Sequence, residues 1–242
     1  MNASSVPVRA PGTSATAALV AAPALGVRDL RVTRGEVVAL DGVTLDIPCA
    51  ALTVLRGGNG SGKSTLLLAL AGVLPVVSGR VEGLAGVRTA LVPQVPPVPA
   101  RLALTVGGAV AMGRWGGLGL FGRMRARDRE VVEERMRLLG VEDLSGRQLC
   151  EVSGGQRQRA LVAQALVQEA PVLLLDEPTA AADVQSRELI HRAARAEADR
   201  GVTVILATHD PGACDLADVV VTLEAGCVLD VEQPAGVTHL AP

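Results

Sequence analysis

Aromatic residues are almost missing from this sequence. Trp115 and Phe121 stand alone, there is no tyrosine, and together they make up 1% of 242 residues. Any core must therefore be built from alanine, valine and leucine, and an apolar fraction of 49% allows a sizeable one. Paired cysteines are lacking too. Cys49, Cys150, Cys214 and Cys227 form no C-x-x-C, and the three histidines are equally dispersed. That scatter speaks against a structural zinc site and for reduced thiols in a cytoplasmic protein. No run of about 18 apolar residues exists, so no helix is expected to span a membrane. A net charge of −2 removes the case for nucleic acid held by bulk electrostatics. Residues 1–25 are rich in Ala, Pro, Ser and Thr, with Arg9 as the one basic residue, and read as a disordered tail rather than a signal peptide. The mean hydropathy of +0.36 is nonetheless high for a soluble chain and suggests a surface covered by a partner.

What is present is an alternation of short apolar runs and helical stretches. From Gly26 to about Ile47 the β-rich pieces "VVAL" and "VTLDI" are punctuated by Gly35 and Gly42, which suggests an antiparallel sheet. "ALTVLRGGNGSGKSTLLLALAGV" reads as buried strand, glycine loop and apolar helix. "VRTALVPQ" is a further strand, running into the proline cluster at Pro93, Pro96, Pro97 and Pro99. From about Thr105 to Gln148 the pattern is helical. Arg129, Glu133 and Arg137 lie at i, i+4 spacing, and Val132, Met136 and Leu139 form the opposite stripe, so the charge run Arg123 to Arg137 reads as a solvated face. The strands "PVLLLD" and "VTVILAT" follow, separated by a helix around Arg187 to Arg200. Buried strands alternating with helices predict an α/β fold with a parallel sheet.

Three strand ends carry chemistry. Gly57 to Ser64, "GGNGSGKS", fits G-x-x-x-x-G-K-[ST] between a strand and a helix, as a phosphate-binding P-loop requires. Gly57, Gly58, Asn59, Gly60, Ser61 and Gly62 curl the backbone so that successive amides face a phosphate chain. Lys63 is expected to reach the β- and γ-phosphates, Ser64 to ligate Mg²⁺, and Thr65 completes the loop. "PVLLLDEP" delivers Asp176 to the carboxyl end of a strand, where it can hold Mg²⁺ through water, and places Glu177 as general base for the attacking water. "ATHD" brings His209 to the same edge as a γ-phosphate contact. Gln94, ending another strand, could touch Mg²⁺ or the lytic water. The stretch "EVSGGQRQR" has a good N-cap in Ser153, followed by free amides that form an anion site, yet no phosphate-binding strand precedes it.

P-loop, "VPQ", "SGGQ", the "LLLDEP" strand, Asp183 six residues after Glu177, and "THD" occur in the order found in ABC-type ATPases, and the chain resembles that family over about residues 26–230. The resemblance implies a P-loop NTPase core with an antiparallel β subdomain and an inserted helical subdomain at about residues 96–152. It also implies ATP and Mg²⁺ as ligands and a head-to-tail dimer of two copies. In such a dimer Ser153, Gly154, Gly155 and Gln156 meet the γ-phosphate held by the second copy, and Asp183 joins the nucleotide site. The family normally places an adenine-stacking aromatic in the region matching "RVTRGEVV". Here that position is Arg34, with Val38 the alternative cover for the base. Gly58 stands where proline is common, and Ala180 and Ala182 where serine and leucine are frequent. None of these departures removes a catalytic group.

With one P-loop and one "SGGQ", the chain resembles the detached ATPase subunit of a bacterial importer. The stretch Met112 to Phe121 and the "RDRE" helix segment at Arg127 to Glu130 are similar to those of zinc/manganese-type metal uptake ATPases. Iron-chelate ATPases share parts of this pattern, so an iron chelate is the alternative cargo. The partners implied are a membrane permease docking on the helical insertion and, indirectly, an extracytoplasmic substrate-binding protein, which places the subunit at the cytoplasmic face of the membrane. A non-transport ABC ATPase acting on ribosomes or DNA would carry twin cassettes, coiled-coil insertions or basic patches, and none is visible.

Overall fold

The computed structural model describes residues 25–94, 103–118, 123–179 and 182–234. The expectations for the tail 1–24, Pro96, Pro97, Pro99, Phe121 and Ala180 lie outside these.

Two antiparallel strands open the chain, β1 (Leu25–Arg34) and β2 (Val37–Ile47), joined by a turn at Gly35 and Glu36. With β4 (Ser78–Glu82) on the other side of β1 they form a three-stranded sheet of order β2-β1-β4. The second sheet has six strands in the order β5-β6-β7-β3-β8-β9. These are β3 (Leu52–Arg56), β5 (Thr89–Val92), β6 (Val172–Asp176), β7 (Thr203–Ala207), β8 (Val219–Glu224) and β9 (Cys227–Glu232). The first five in that order run parallel, and β9 turns back antiparallel on β8. The helices are α1 (Lys63–Leu70), α2 (Val106–Met112), α3 (Trp115–Leu118), α4 (Ala126–Leu138), α5 (Gly154–Leu166), α6 (Val184–Asp199) and the short α7 (Pro211–Cys214). None of the described helices is long and apolar enough to cross a membrane.

Strand alternation divides the interior into two cores. Leu52, Val54, Leu173, Leu175, Val204 and Leu206 point to one face of the large sheet, where α2, α4, α5 and α6 pack. Leu55, Val172, Leu174, Ile205 and Val221 point to the other, against α1 and the three-stranded sheet. Among the described residues no aromatic side chain is buried in either core.

The helical insertion is gathered at a neck. Thr105 bridges Gln148, and Leu149 and Val106 donate across it to Leu104 and Arg147. Within the insertion Val132, Met136 and Leu139 are buried while Arg129, Glu133 and Arg137 are exposed, as the periodicity predicted. The charge run is not wholly a solvated face, however. Asp128 is buried and receives Arg114 at 2.8 Å, and Arg135 is 3% exposed with Glu197 of α6 at 2.8 Å. Arg125 donates its backbone amide to Asp128, and together with Arg114 this holds the carboxyl below its ordinary pKa. The partners lie 14 and 62 residues away in the chain, where helix periodicity carries no information about them.

Candidate functional site

All the strand-end residues singled out from the sequence meet at the carboxyl edge of the large sheet. The P-loop follows β3, Gln94 lies two residues past β5, Glu177 follows β6, and His209 lies two residues past β7. Since β5, β6, β7 and β3 are adjacent, the four groups stand side by side. They line a cleft of about 570 Å³ with Arg34, Val37, Ala39 and the loop Asn59 to Thr65. Parallel α/β sheets bind ligands at this edge because the strand-to-helix turns open there.

The P-loop is shaped by its glycines and by the strand above it. Gly62 has φ +107°, and a Cβ there would lie 2.7 Å from Leu40 Cδ2 and 3.0 Å from the Ala39 carbonyl. Only glycine lets the loop approach β2 so closely. Lys63 is 6% exposed and folds back on the loop, donating to the carbonyls of Gly57 at 2.8 Å and Gly58 at 3.0 Å. Its Nζ lies 3.7 Å from Glu177 Oε1. Ser64 donates its hydroxyl to Asp176 Oδ1 at 2.9 Å.

Asp176 is 4% exposed, and burial raises its pKa, with Glu177 adding to the effect. The Ser64 hydroxyl, the Lys63 ammonium and the Gln94 backbone amide act in the opposite direction. A buried carboxylate beside a hydroxyl is a hard-oxygen set that suits Mg²⁺ taking its other ligands from phosphate and water. Among the described residues no cluster of three or more His, Cys, Asp or Glu could hold a metal by itself.

Glu177 accepts from His209 Nδ1 at 2.9 Å, and an ionised carboxylate, which only accepts, makes Nδ1 the protonated nitrogen. The Glu177 backbone has φ +45°, a left-handed conformation that costs a non-glycine residue about 1–2 kcal/mol. Its amide is fixed to the Ala207 carbonyl at 2.9 Å, so β7 holds the strained residue in place.

Five candidates, Ser153, Gly154, Gly155, Gln156 and Asp183, lie away from this cleft. Ser153 caps α5, accepting from Gln156 N at 3.2 Å while Gln156 Oε1 accepts from Ser153 N at 2.9 Å. Ser153 and Gly154 are exposed, whereas Gly155 is buried against α6, where an added Cβ would lie 2.7 Å from Ser186 Oγ. Asp183 caps α6 by accepting from Ser186 N at 2.7 Å, a bond that lowers its pKa. Neither the "SGGQ" helix start nor Asp183 lines the cleft of its own chain.

The sequence missed the apolar wall. Val37 and Ala39 line the cleft, and Val38 does not. The signal was there in the strand alternation, which puts 37 and 39 on one face and 38 on the other.

Comparison with known proteins follows this geometry. The sequence profile of the ABC transporter family matches residues 40–180. The chain is 35% identical over 191 residues to the manganese transport system ATP-binding protein of Listeria monocytogenes, covering 76% of this chain and 79% of that protein. It is 38% identical over 211 residues to the hemin import ATP-binding protein of Streptomyces coelicolor, covering 81% and 73%. The zinc import ATP-binding protein of Cereibacter sphaeroides is 36% identical over 193 residues, covering 79% and 73%. Among solved structures, an inward-facing putative metal-chelate type ABC transporter aligns with a TM-score of 0.75 at 27% identity, over 87% of this chain and 83% of that one.

Proposed function

The chain is an ATPase of the ABC transporter family, and from that premise we propose that it powers a bacterial importer of metal, closing as a head-to-tail dimer over two ATP molecules. The observation that carries the dimer is the exposed, capped start of α5. The Ser153 amide is taken by Gln156 Oε1, but the Ser153 hydroxyl cap and Gly154 are exposed and lie outside the cleft of their own chain, so a phosphate meeting this helix start would come from a second copy.

In this reading the P-loop amides and Lys63 grip the triphosphate, and Lys63 exchanges the Gly57 and Gly58 carbonyls for phosphate oxygens. Ser64 and Asp176 would hold Mg²⁺, which would offset the charge of the phosphates. Glu177 takes a proton from the attacking water, and its strained backbone aims the carboxylate into the cleft. His209 orients that carboxylate through Nδ1. A neutral ring would then present a bare Nε2, so contact with the γ-phosphate requires the imidazolium. Gln94 positions the water or a metal ligand, and in the closed dimer Ser153, Gly154, Gly155, Gln156 and Asp183 complete the partner's site.

Manganese or zinc is the proposed cargo, in line with the names of the relatives above. The identity to the hemin protein supports an iron chelate as the second reading. A permease would dock on the insertion, where Trp115 is 57% exposed on α3, and would hold the subunit at the cytoplasmic face of the membrane. An extracytoplasmic binding protein would deliver the cargo. Deleting the gene in its host and measuring cell manganese, zinc and iron tests this directly. A drop in manganese or zinc, restored by the wild-type gene but not by Glu177→Gln, is expected. A drop confined to iron selects the second reading, and no change in any of them rejects metal import.

A further inference from the structure

At its outer end the nucleotide cleft is built from three residues of the β1–β2 hairpin. Arg34 and Val37 pair across the hairpin, and Ala39 follows on the same face. Val37 is 68% exposed, an apolar side chain open to the cleft. Arg34 is exposed as well, and no hydrogen bond or ion pair engages its guanidinium within the described residues. The close packing of Gly62 on Leu40 and Ala39 fixes this wall against the P-loop, so a triphosphate seated in the loop directs its base onto it.

The chemistry of that wall discriminates poorly against guanine. An isopropyl group covers any purine face equally. Arg34 is the only polar side chain of the three, and a guanidinium donates without accepting. Guanine offers two acceptors, O6 and N7, on the edge a guanidinium matches in pairs. Adenine offers N7 beside an N6 amino group that is itself a donor. None of the three wall side chains accepts a hydrogen bond, so none of them meets the N6 donor of adenine.

We infer that the site binds GTP at least as readily as ATP: it is a purine-triphosphate site whose base preference is set by Arg34 over a floor of Val37. This rests on the nucleotide reading given above. The test uses the full-length purified chain with Mg²⁺ and measures displacement of a fluorescent ATP analogue by ATP, GTP and ITP. ITP keeps O6 and N7 but lacks the guanine 2-amino group. Wild type should bind GTP and ITP as tightly as ATP, or up to about tenfold more tightly. Arg34→Met keeps the apolar stem and removes the donors, so GTP and ITP should weaken several-fold while ATP changes less than about twofold. Val37→Tyr should tighten ATP and GTP together by about tenfold, because a ring stacks on either base. A wild-type preference for ATP over GTP overturns the inference, as does an unchanged GTP-to-ATP ratio in Arg34→Met. Absence of binding by any of the three nucleotides would instead overturn the nucleotide reading on which the inference stands.

Discussion

Replacing Gly155 by alanine tests how the "SGGQ" helix is seated. Its added Cβ would lie 2.7 Å from Ser186 Oγ, 3.3 Å from Ser186 Cβ and 3.5 Å from Asp183 Oδ2. Rotating the serine hydroxyl relieves the first contact only, and Ser186 is 1% exposed, with no room to move as a whole. Overpacking of this kind costs about 1–3 kcal/mol. Alanine recovers roughly 1 kcal/mol of helix propensity over glycine, so the net loss should be up to about 2 kcal/mol. For a chain of this size that lowers the melting temperature by up to about 8 °C. Because the start of α5 must tilt away from α6, nucleotide-driven dimerisation and ATP hydrolysis should fall further than stability does. Thermal unfolding, dimerisation followed by sedimentation, and phosphate release together read the effect. The double variant Gly155→Ala with Ser186→Gly removes both close contacts and should restore dimerisation. A Gly155→Ala protein that is as stable and as active as wild type would refute the packing argument.

Three further outcomes follow from the same geometry. Glu177→Gln should retain ATP binding and trap a nucleotide-bound dimer, with hydrolysis lower by about 10²- to 10⁴-fold; near-normal turnover would remove its role as base. Ser153→Arg should bind ATP as a monomer yet fail to close, and mixed with Lys63→Ala it should regain one composite site. A mixture no more active than either parent counts against action across the dimer. Asp176→Asn should abolish Mg²⁺-dependent nucleotide tightening but raise the melting temperature of the nucleotide-free chain at neutral pH. The sign follows from burial, which raises the Asp176 pKa and makes its ionised form unfavourable to folding above the ordinary carboxylate range; a lower melting temperature would contradict it.

The meeting of the candidate residues at one sheet edge was legible in the sequence because each of its parts is a short strand ending in a few polar residues. Gly57 to Thr65, Asp176, Glu177 and His209 needed only the knowledge that parallel strands deliver their carboxyl ends to one side. The β8–β9 hairpin, by contrast, was not read, although "VVVTLEAGCVLDVE" shows two apolar runs around Ala225–Gly226. Strand β4 is only five residues long and pairs with β1, far from it in the chain. The buried ion pair of Arg135 with Glu197 could not be read at all. A charged residue in a helix shows its spacing, and whether a carboxylate waits for it on another helix is decided by tertiary packing. Val37 was hidden for a subtler reason: one residue of strand register separates the cleft-facing valine from the neighbour that faces away.

Helix α5 can also be regarded as a machine part. Its thirteen residues span about 20 Å. At one end, next to α3 and the exposed Trp115, Arg114 grips the Val167 carbonyl at 2.8 Å and Glu169 at 2.7 Å. At the other end stand Ser153 and Gly155. The helix is held by Arg114 where a permease would push, and at the other end Gly155 packs on Ser186 while Ser153 and Gly154 stay exposed where the partner's phosphate would be met. In the proposed complex a push at α3 would reach Ser153 along this helix, and the reverse would hold when a partner's phosphate engaged the capped end. Permease and nucleotide would thus sit at the two ends of one lever.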